Sequence, residues 1–246
     1  MTADTMTGRP VALVTGAARG IGLEVARQIA ARGMTVLLAA RAGKAEAAAR
    51  DLARDGHDVR PLNLDVTDDT SAGAARRLVE EQFGRLDVLV NNAAAYVDWS
   101  ETASTADLTA ALRVFETNLF GTWRVTQTFL PLLRASAHPR LVVVSSGAGS
   151  HGDPQFGLTT GAGAAASYGI SKAALNALVA TLAAELSETG ILVNAVCPGL
   201  TATAPGMEAM GARPVTTGAA SVVWAATLPD DGPTGGFFRD SEPLPW

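Results

Sequence analysis

Cysteine is almost absent from this chain: Cys197 stands alone among 246 residues. That excludes an internal disulfide and any metal site built on cysteine pairs. Histidine is scarce too, with His57, His138 and His151 far apart in loop-like contexts. Lysine is rarer still. Lys44 and Lys172 are the two present, so 17 of the 19 cationic residues are arginine. A GC-rich coding bias accounts for most of those arginines and makes each lysine more informative. No run of 18 uninterrupted apolar residues occurs, so no helix is expected to span a bilayer. The first ten residues, MTADTMTGRP, lack an apolar leader and read as a loose polar tail over residues 1–8. Net charge is −5 without a long basic run, which argues against nucleic acid and membrane surfaces as partners. The expected location is cytoplasmic.

What is present is apolar: 48% of residues are hydrophobic and 17% charged, enough to bury a large core. Short β-branched or Leu-rich runs alternate with Ala-rich helical stretches from end to end. Strands are expected at Val11–Thr15, Thr35–Ala40, Val59–Asn63, Val88–Asn91, Leu141–Ser145, Leu192–Val196 and Gly236–Phe238. Helical patterns lie between them at Ile21–Arg32, Lys44–Asp55, Asp69–Phe83, Asp107–Leu133, Ala166–Glu188 and Val215–Thr227. Runs such as LVVV are apolar on both faces, as strands covered by helices on both sides must be. The alternation predicts an α/β, doubly wound, Rossmann-like fold: a seven-stranded parallel sheet with right-handed crossovers and helices on both faces. No linker divides the chain, so residues 1–246 are expected to form a single dinucleotide-binding and catalytic domain. One stretch, Gly147–Gly163, has neither period; a loop of that length is usually functional or disordered.

Thr15-Gly16-Ala17-Ala18-Arg19-Gly20-Ile21-Gly22 sits where the first strand hands over to the first helix. Glycines there let the backbone turn sharply and approach a pyrophosphate, whose charge meets the free N–H groups of the helix N-terminus. The second strand ends in Ala39-Ala40-Arg41. Sites that prefer NAD place an acid at that point to bind the ribose 2′-hydroxyl. Here there is none, and Arg19 and Arg41 suit a 2′-phosphate through charge-assisted contacts. NADP(H) is therefore the expected cofactor, in preference to NAD(H).

TGAARGIG resembles the TGxxxGxG signature of the short-chain dehydrogenase/reductase family, and the remaining motifs follow in that family's order over residues 9–246. Asn91-Asn92-Ala93-Ala94 stands where the family has NNAG, with Ala94 in place of the glycine. Tyr168-Gly-Ile-Ser-Lys172 matches YxxxK, and Pro198-Gly199 follows the sixth strand. The ending GPTGGFFRDSEPLPW is similar to the carbonyl-reductase-like branch. The resemblance implies cofactor contacts from Gly16, Arg19, Gly20, Ile21, Gly22, Arg41, Asp65, Val66, Asn91, Tyr168, Lys172, Pro198, Gly199 and Thr203. Asp65 would accept from the adenine amino group, although DVTDDTS also reads as a helix-capping segment. The resemblance further implies a catalytic set of Asn118, Ser146, Tyr168 and Lys172. Ser146 would polarise the substrate oxygen, with Ser145 as the neighbouring alternative. Asn118 would kink its helix and hold a water linking Lys172 to solvent. The separation of Ser146 from Tyr168, 22 residues, is wider than many members show.

The chemistry of YxxxK follows from spacing. Four residues on a helix put both side chains on one face, about 6 Å apart along the axis. Two tyrosines and two lysines would meet at that spacing by chance once in about 60 such chains. A phenol titrates near ~10 in isolation, too high for proton exchange near neutrality, and an adjacent ammonium is expected to lower it. The expected reaction is hydride transfer between NADP(H) and a small-molecule carbonyl or alcohol. Tyr96, Trp99, Phe156, Leu200, Met207 and Met210 are expected to line an apolar substrate pocket. Two rivals remain in view. Ser146, His151 and Asp153 could form a hydrolase triad, but the G-x-S-x-G elbow is missing and their chain order is wrong for that fold. A non-catalytic NADPH-binding sensor could use the same fold, though it would not need to keep Asn118, Ser146, Tyr168 and Lys172. Apolar excess on the helices Asp107–Leu133 and Ala166–Glu188 points to a homodimer or homotetramer.

Overall fold

The structure is a computed structural model that describes residues 8–41 and 43–246. Apart from Gly8, the expected N-terminal tail lies outside the described residues. The Gly8 carbonyl accepts from Arg85 Nη2 at 3.0 Å.

Strands β1 (Val11–Thr15), β2 (Thr35–Ala40), β3 (Val59–Asn63), β4 (Val88–Asn91), β5 (Arg140–Val144), β6 (Leu192–Val196) and β7 (Phe237–Arg239) pair in parallel. The order is β3-β2-β1-β4-β5-β6-β7-β8. The eighth strand, β8 (Glu242–Pro243), was not expected; it pairs antiparallel with β7. Its cause is a two-residue turn in which Asp240 and Ser241 both adopt positive φ, 56° and 69°. That is the backbone of a type I′ hairpin, which usually announces itself with Asn-Gly or Asp-Gly.

The period of two within each strand divides the core. Leu13, Leu37, Leu89, Leu141 and Val193 point to one face, with Val79, Phe129, Leu175 and Val179 from the helices α3 (Asp69–Phe83), α5 (Thr122–Arg134) and α6 (Ala166–Glu185). Val14, Val36, Leu38, Val90 and Val142 point to the other. There they meet Val25, Ile29, Leu52 and Val222 from α1 (Gly20–Ala30), α2 (Ala45–Arg54) and α7 (Val215–Ala226). Alternate residues buried on opposite faces are the signature of strands sandwiched between helix layers.

The expected long helix Asp107–Leu133 is interrupted. α4 (Leu108–Phe115) runs into a π-helical turn at Glu116–Gly121 before α5 begins. An extra residue per turn is a recurrent device at functional sites. Here it carries Asn118. The strand order reverses between β1 and β4, and such a switch point is where an open α/β sheet binds ligands.

Candidate active site

A cavity of about 1430 Å³ opens at the C-terminal ends of the strands. Its first wall is the glycine turn between β1 and α1. Gly16 and Gly20 hold φ values of 64° and 59°, which L side chains rarely adopt. A Cβ on Gly16 would come within 2.8 Å of Ala93 Cα. Asn92 fastens this turn from the next strand, its amide donating to Thr15 O at 2.8 Å and Gly16 O at 3.3 Å. Thr15 Oγ1 in turn accepts from the Asn92 and Ala93 N–H groups at 2.9 and 3.0 Å. No acidic residue occupies the first turn of α1, so its N-terminal dipole faces the cavity uncompensated.

Arg19 and Arg41 line this end, and so does Lys44. Lys44 went unnominated, although its position three residues after Arg41 and its rarity were the available signals. Asp65 and Val66 also line the cavity. The Asp65 carboxylate accepts from Thr67 N at 3.0 Å and Thr67 Oγ1 at 2.7 Å, so it serves the turn before α3 as well. Those contacts hold its pKa below the ordinary carboxylate value.

At the other end α6 carries Tyr168 and Lys172 into the same space, and Ser146 reaches it from the end of β5. Ser145 turns away: it is buried and donates to Asn176 Oδ1. Ser146 is half-buried, so of the two serines it is the one free to face a substrate. Tyr168 is buried, and that loss of solvation raises the pKa of its phenol above the ordinary value. The Ser146 hydroxyl opposes the rise without prevailing. This departs from the expectation that Lys172 would depress the phenol. The ammonium lies 5.7 Å from the Tyr168 ring centroid and donates to Val144 O at 2.9 Å. Burial acts on it also, bringing its pKa down to about 8. For both groups burial is the dominant cause.

Two nominated asparagines stay outside the cavity lining. Asn91 donates to Thr126 Oγ1 on α5 at 3.0 Å, and its Oδ1 is buried without a partner among the described residues. Asn118 is fully buried in the π-turn. Its Oδ1 accepts from Ala95 N at 2.7 Å, and its Nδ2 donates to Ala95 O at 3.1 Å and Ser171 Oγ at 3.1 Å. It clamps the segment after β4 to the helix that bears Tyr168.

Ile21, Gly22, Pro198, Gly199 and Thr203 all line the cavity. The Pro198 carbonyl is fixed by Arg213, which also grips Asp240 at 2.7 and 2.8 Å. Of the expected pocket residues, Tyr96, Trp99, Phe156, Leu200 and Met207 are in place. Met210 is not; it sits 73% exposed at the end of a short 3-10 turn, turned from the site. The hydrolase triad also dissolves. His151 is exposed and away from the lining, and the Asp153 carboxylate is buried against Arg239.

The stretch without a sequence period, Gly147–Gly163, is an ordered wall. Ser150 Oγ donates to Pro245 O at 2.6 Å and accepts from Gly152 N and Asp153 N. Asp153 then receives Gln155 N at 2.9 Å, and Gln155, Phe156 and Leu158 face the cavity.

Comparison with known proteins gives a consistent picture. The sequence profile described as short chain dehydrogenase matches residues 10–212. The short-chain dehydrogenase anuI of Penicillium roqueforti is 38% identical over 227 residues, 89% of each chain. The NADPH-bound carbonyl reductase from chicken fatty liver superposes with a TM-score of 0.84 at 28% identity, covering 97% of this chain and 100% of that one. A variant of actinorhodin polyketide ketoreductase with NADPH gives 0.81 at 30% identity, covering 94% and 95%.

Proposed function

This chain belongs to the short-chain dehydrogenase family, and we propose that it works there as an NADP(H)-dependent reductase of ketones or aldehydes. The observation that carries the reading is the convergence of Ser146, Tyr168 and Lys172 at one end of a cavity whose other end is a glycine cradle. The residues present fit a nicotinamide dinucleotide phosphate. Gly16 and Gly22 leave no room for a Cβ beside Ala93 and Asn92, and Arg19, Arg41 and Lys44 supply cations where a 2′-phosphate needs them. When bound, the cofactor supplies the hydride.

The protein's own residues do the rest. Ser146 donates a hydrogen bond to the substrate oxygen and orients it. Tyr168 gives up its proton to that oxygen, and a phenol kept neutral by burial is in the right state for such a donor. Lys172, held beside the ring, binds the nicotinamide ribose and offers positive charge as the phenolate forms. Asn118 acts through Ala95 and Ser171, as a positioning residue.

The same reading makes residues 1–246 one functional domain, cytoplasmic, and paired as a dimer or tetramer. Among the described residues no helix is long and apolar enough to cross a membrane. Leu108 and Leu112 on α4 are 73% and 71% exposed, a surface suited to a second copy. Purified protein tested with NADPH or NADH against ketones, aldehydes and alcohols, followed by cofactor absorbance, decides the activity. Turnover faster with NADPH is expected. Cofactor binding without turnover on any carbonyl would favour a sensor instead.

A further inference from the structure

Aromatic residues are 5% of this chain, and tyrosine occurs twice. Both tyrosines meet at the site. The Tyr96 ring lies 5.4 Å from that of Tyr168 with 24° between planes, and Trp99 meets Tyr168 edge-on at 5.4 Å and 67°. Tyr96 and Trp99 are themselves 5.9 Å apart. Tyr168 is buried by this arrangement, yet Tyr96 and Trp99 remain 57% and 58% exposed. Large apolar rings left open to water beside a reacting phenol stand to bury that surface when a ligand arrives.

The segment that bears them is fixed in place. Asn118 holds both backbone polar groups of Ala95, accepting from its N–H and donating to its carbonyl. Glu101 reaches across to α6, where its carboxylate accepts from Ser167 N at 2.9 Å and Ser167 Oγ at 2.6 Å. Its carbonyl accepts from Ala166 N at 3.3 Å. Ala165, at the N-cap position just before α6, provides no side-chain cap, so Glu101 caps the helix from outside. The aromatic segment and the catalytic helix are thereby one unit. The Gly147–Gly163 wall lines the cavity with no charged side chain. Asp153 is sealed by Arg239, whose guanidinium lies 5.1 Å from the centroid of the Phe156 ring. Leu158, Leu200 and Met207 add apolar lining.

We infer that Tyr96 and Trp99 are specificity-determining residues, and that the substrate carries its carbonyl on a flat, uncharged aromatic framework that extends this ring cluster. The inference rests on the reductase reading given above. Two rings set at different angles offer one face and one edge, and a third ring gains from both geometries beyond its burial. A puckered aliphatic ring of equal carbon count gains the burial alone. Because the two aromatics are pre-fixed by Asn118 and Glu101, the discrimination is expected in binding.

The test uses naphthylacetone and its decahydro analogue, whose unconjugated carbonyls have matched intrinsic reactivity, with NADPH. The wild type is expected to favour the naphthyl ketone about tenfold in kcat/KM, chiefly through KM. Trp99→Leu and Tyr96→Leu should each bring the ratio toward one, again through KM. A parallel binding arm needs no turnover: by titration calorimetry the naphthyl alcohol should bind about tenfold more tightly than its decahydro analogue, and Trp99→Leu should lose that difference. Reduction of both ketones with equal efficiency overturns the aryl assignment and leaves the reductase reading standing. Failure of both reductions, with the binding preference intact, sinks the reductase reading and supports the aryl wall. Equal affinity for the two alcohols overturns the wall whatever the turnover.

Discussion

At the glycine-turn end of the cavity the side chains that matter are charged and exposed: Arg19, Arg41 and Lys44. At the reacting end they are buried: Tyr168 and Lys172 with almost no exposure, Asn118 with none. The same polar chemistry thus works in two media. Exposed charges act through water and salt, so each contributes modestly and is replaceable. Buried groups have their protonation set by the fold, and removing one changes the reaction itself. Substitutions at the two ends should therefore differ in size and in kind.

The largest effect is expected at Tyr168. Tyr168→Phe keeps the ring stacked on Tyr96 and removes the proposed proton donor, so turnover should fall ~10²–10⁴-fold. NADPH affinity, measured by fluorescence titration, should hardly change, because the glycine turn proposed to hold the phosphates lies at the other end. Near wild-type rates would erase the distinction drawn here between the two ends.

Lys172 tests burial through pH. Its ammonium titrates near 10.5 when unfolded and at about 8 in the fold. Between those values the unfolded chain holds a proton that the native state has released, so stability rises with pH from about 8 upward. Tyr168 acts in the opposite sense. Its raised native pKa means that the unfolded phenol ionises first above 10, and stability falls there. Urea unfolding at pH 8 and pH 10 should show a gain on the order of 2 kcal/mol in the wild type, absent in Lys172→Met. The same variant should lose turnover and cofactor affinity together. An unchanged pH slope would mean that the ammonium is less buried than described.

Smaller effects belong to the exposed end. Arg41→Asp should narrow or reverse the preference for NADPH over NADH by roughly 10- to 150-fold in affinity ratio. High salt should narrow it in the wild type too. The exposed leucines of α4 give a qualitative outcome: light scattering at micromolar protein should read a multiple of 25.2 kDa, and a monomer mass would refute the paired surface.

What the sequence reveals follows the same division. Strands covered on both faces need only apolar alternation, so all seven expected strands overlie observed ones: β1 to β4 and β6 match in both bounds, and β5 and β7 are shifted by one residue. The glycine turn and YxxxK are local, and spacing alone places them. Long-range contacts leave no such mark. Glu101 caps α6 from 66 positions away, and nothing around Glu101 distinguishes it from a solvated acid. β8 escaped notice because Asp240 and Ser241 turn without glycine. Asn118 was legible as an odd mid-helix asparagine, while its grip on Ala95 required the π-turn. The direction of the Tyr168 shift was the costliest misreading. Spacing shows that an ammonium is near, and only the packed fold shows how little water reaches the phenol.

In the proposed reaction Ser146 orients the carbonyl and Tyr168 protonates its oxygen while NADPH delivers hydride to the carbon. Single-turnover reduction of naphthylacetone with NADPH deuterated at the transferable position of nicotinamide C4 tests it directly. The account predicts one deuterium on the carbinol carbon per cofactor oxidised, with Tyr168→Phe slowing its appearance ~10²–10⁴-fold. NADPH bound and retained, with no deuterium in any carbonyl-derived product, would contradict it.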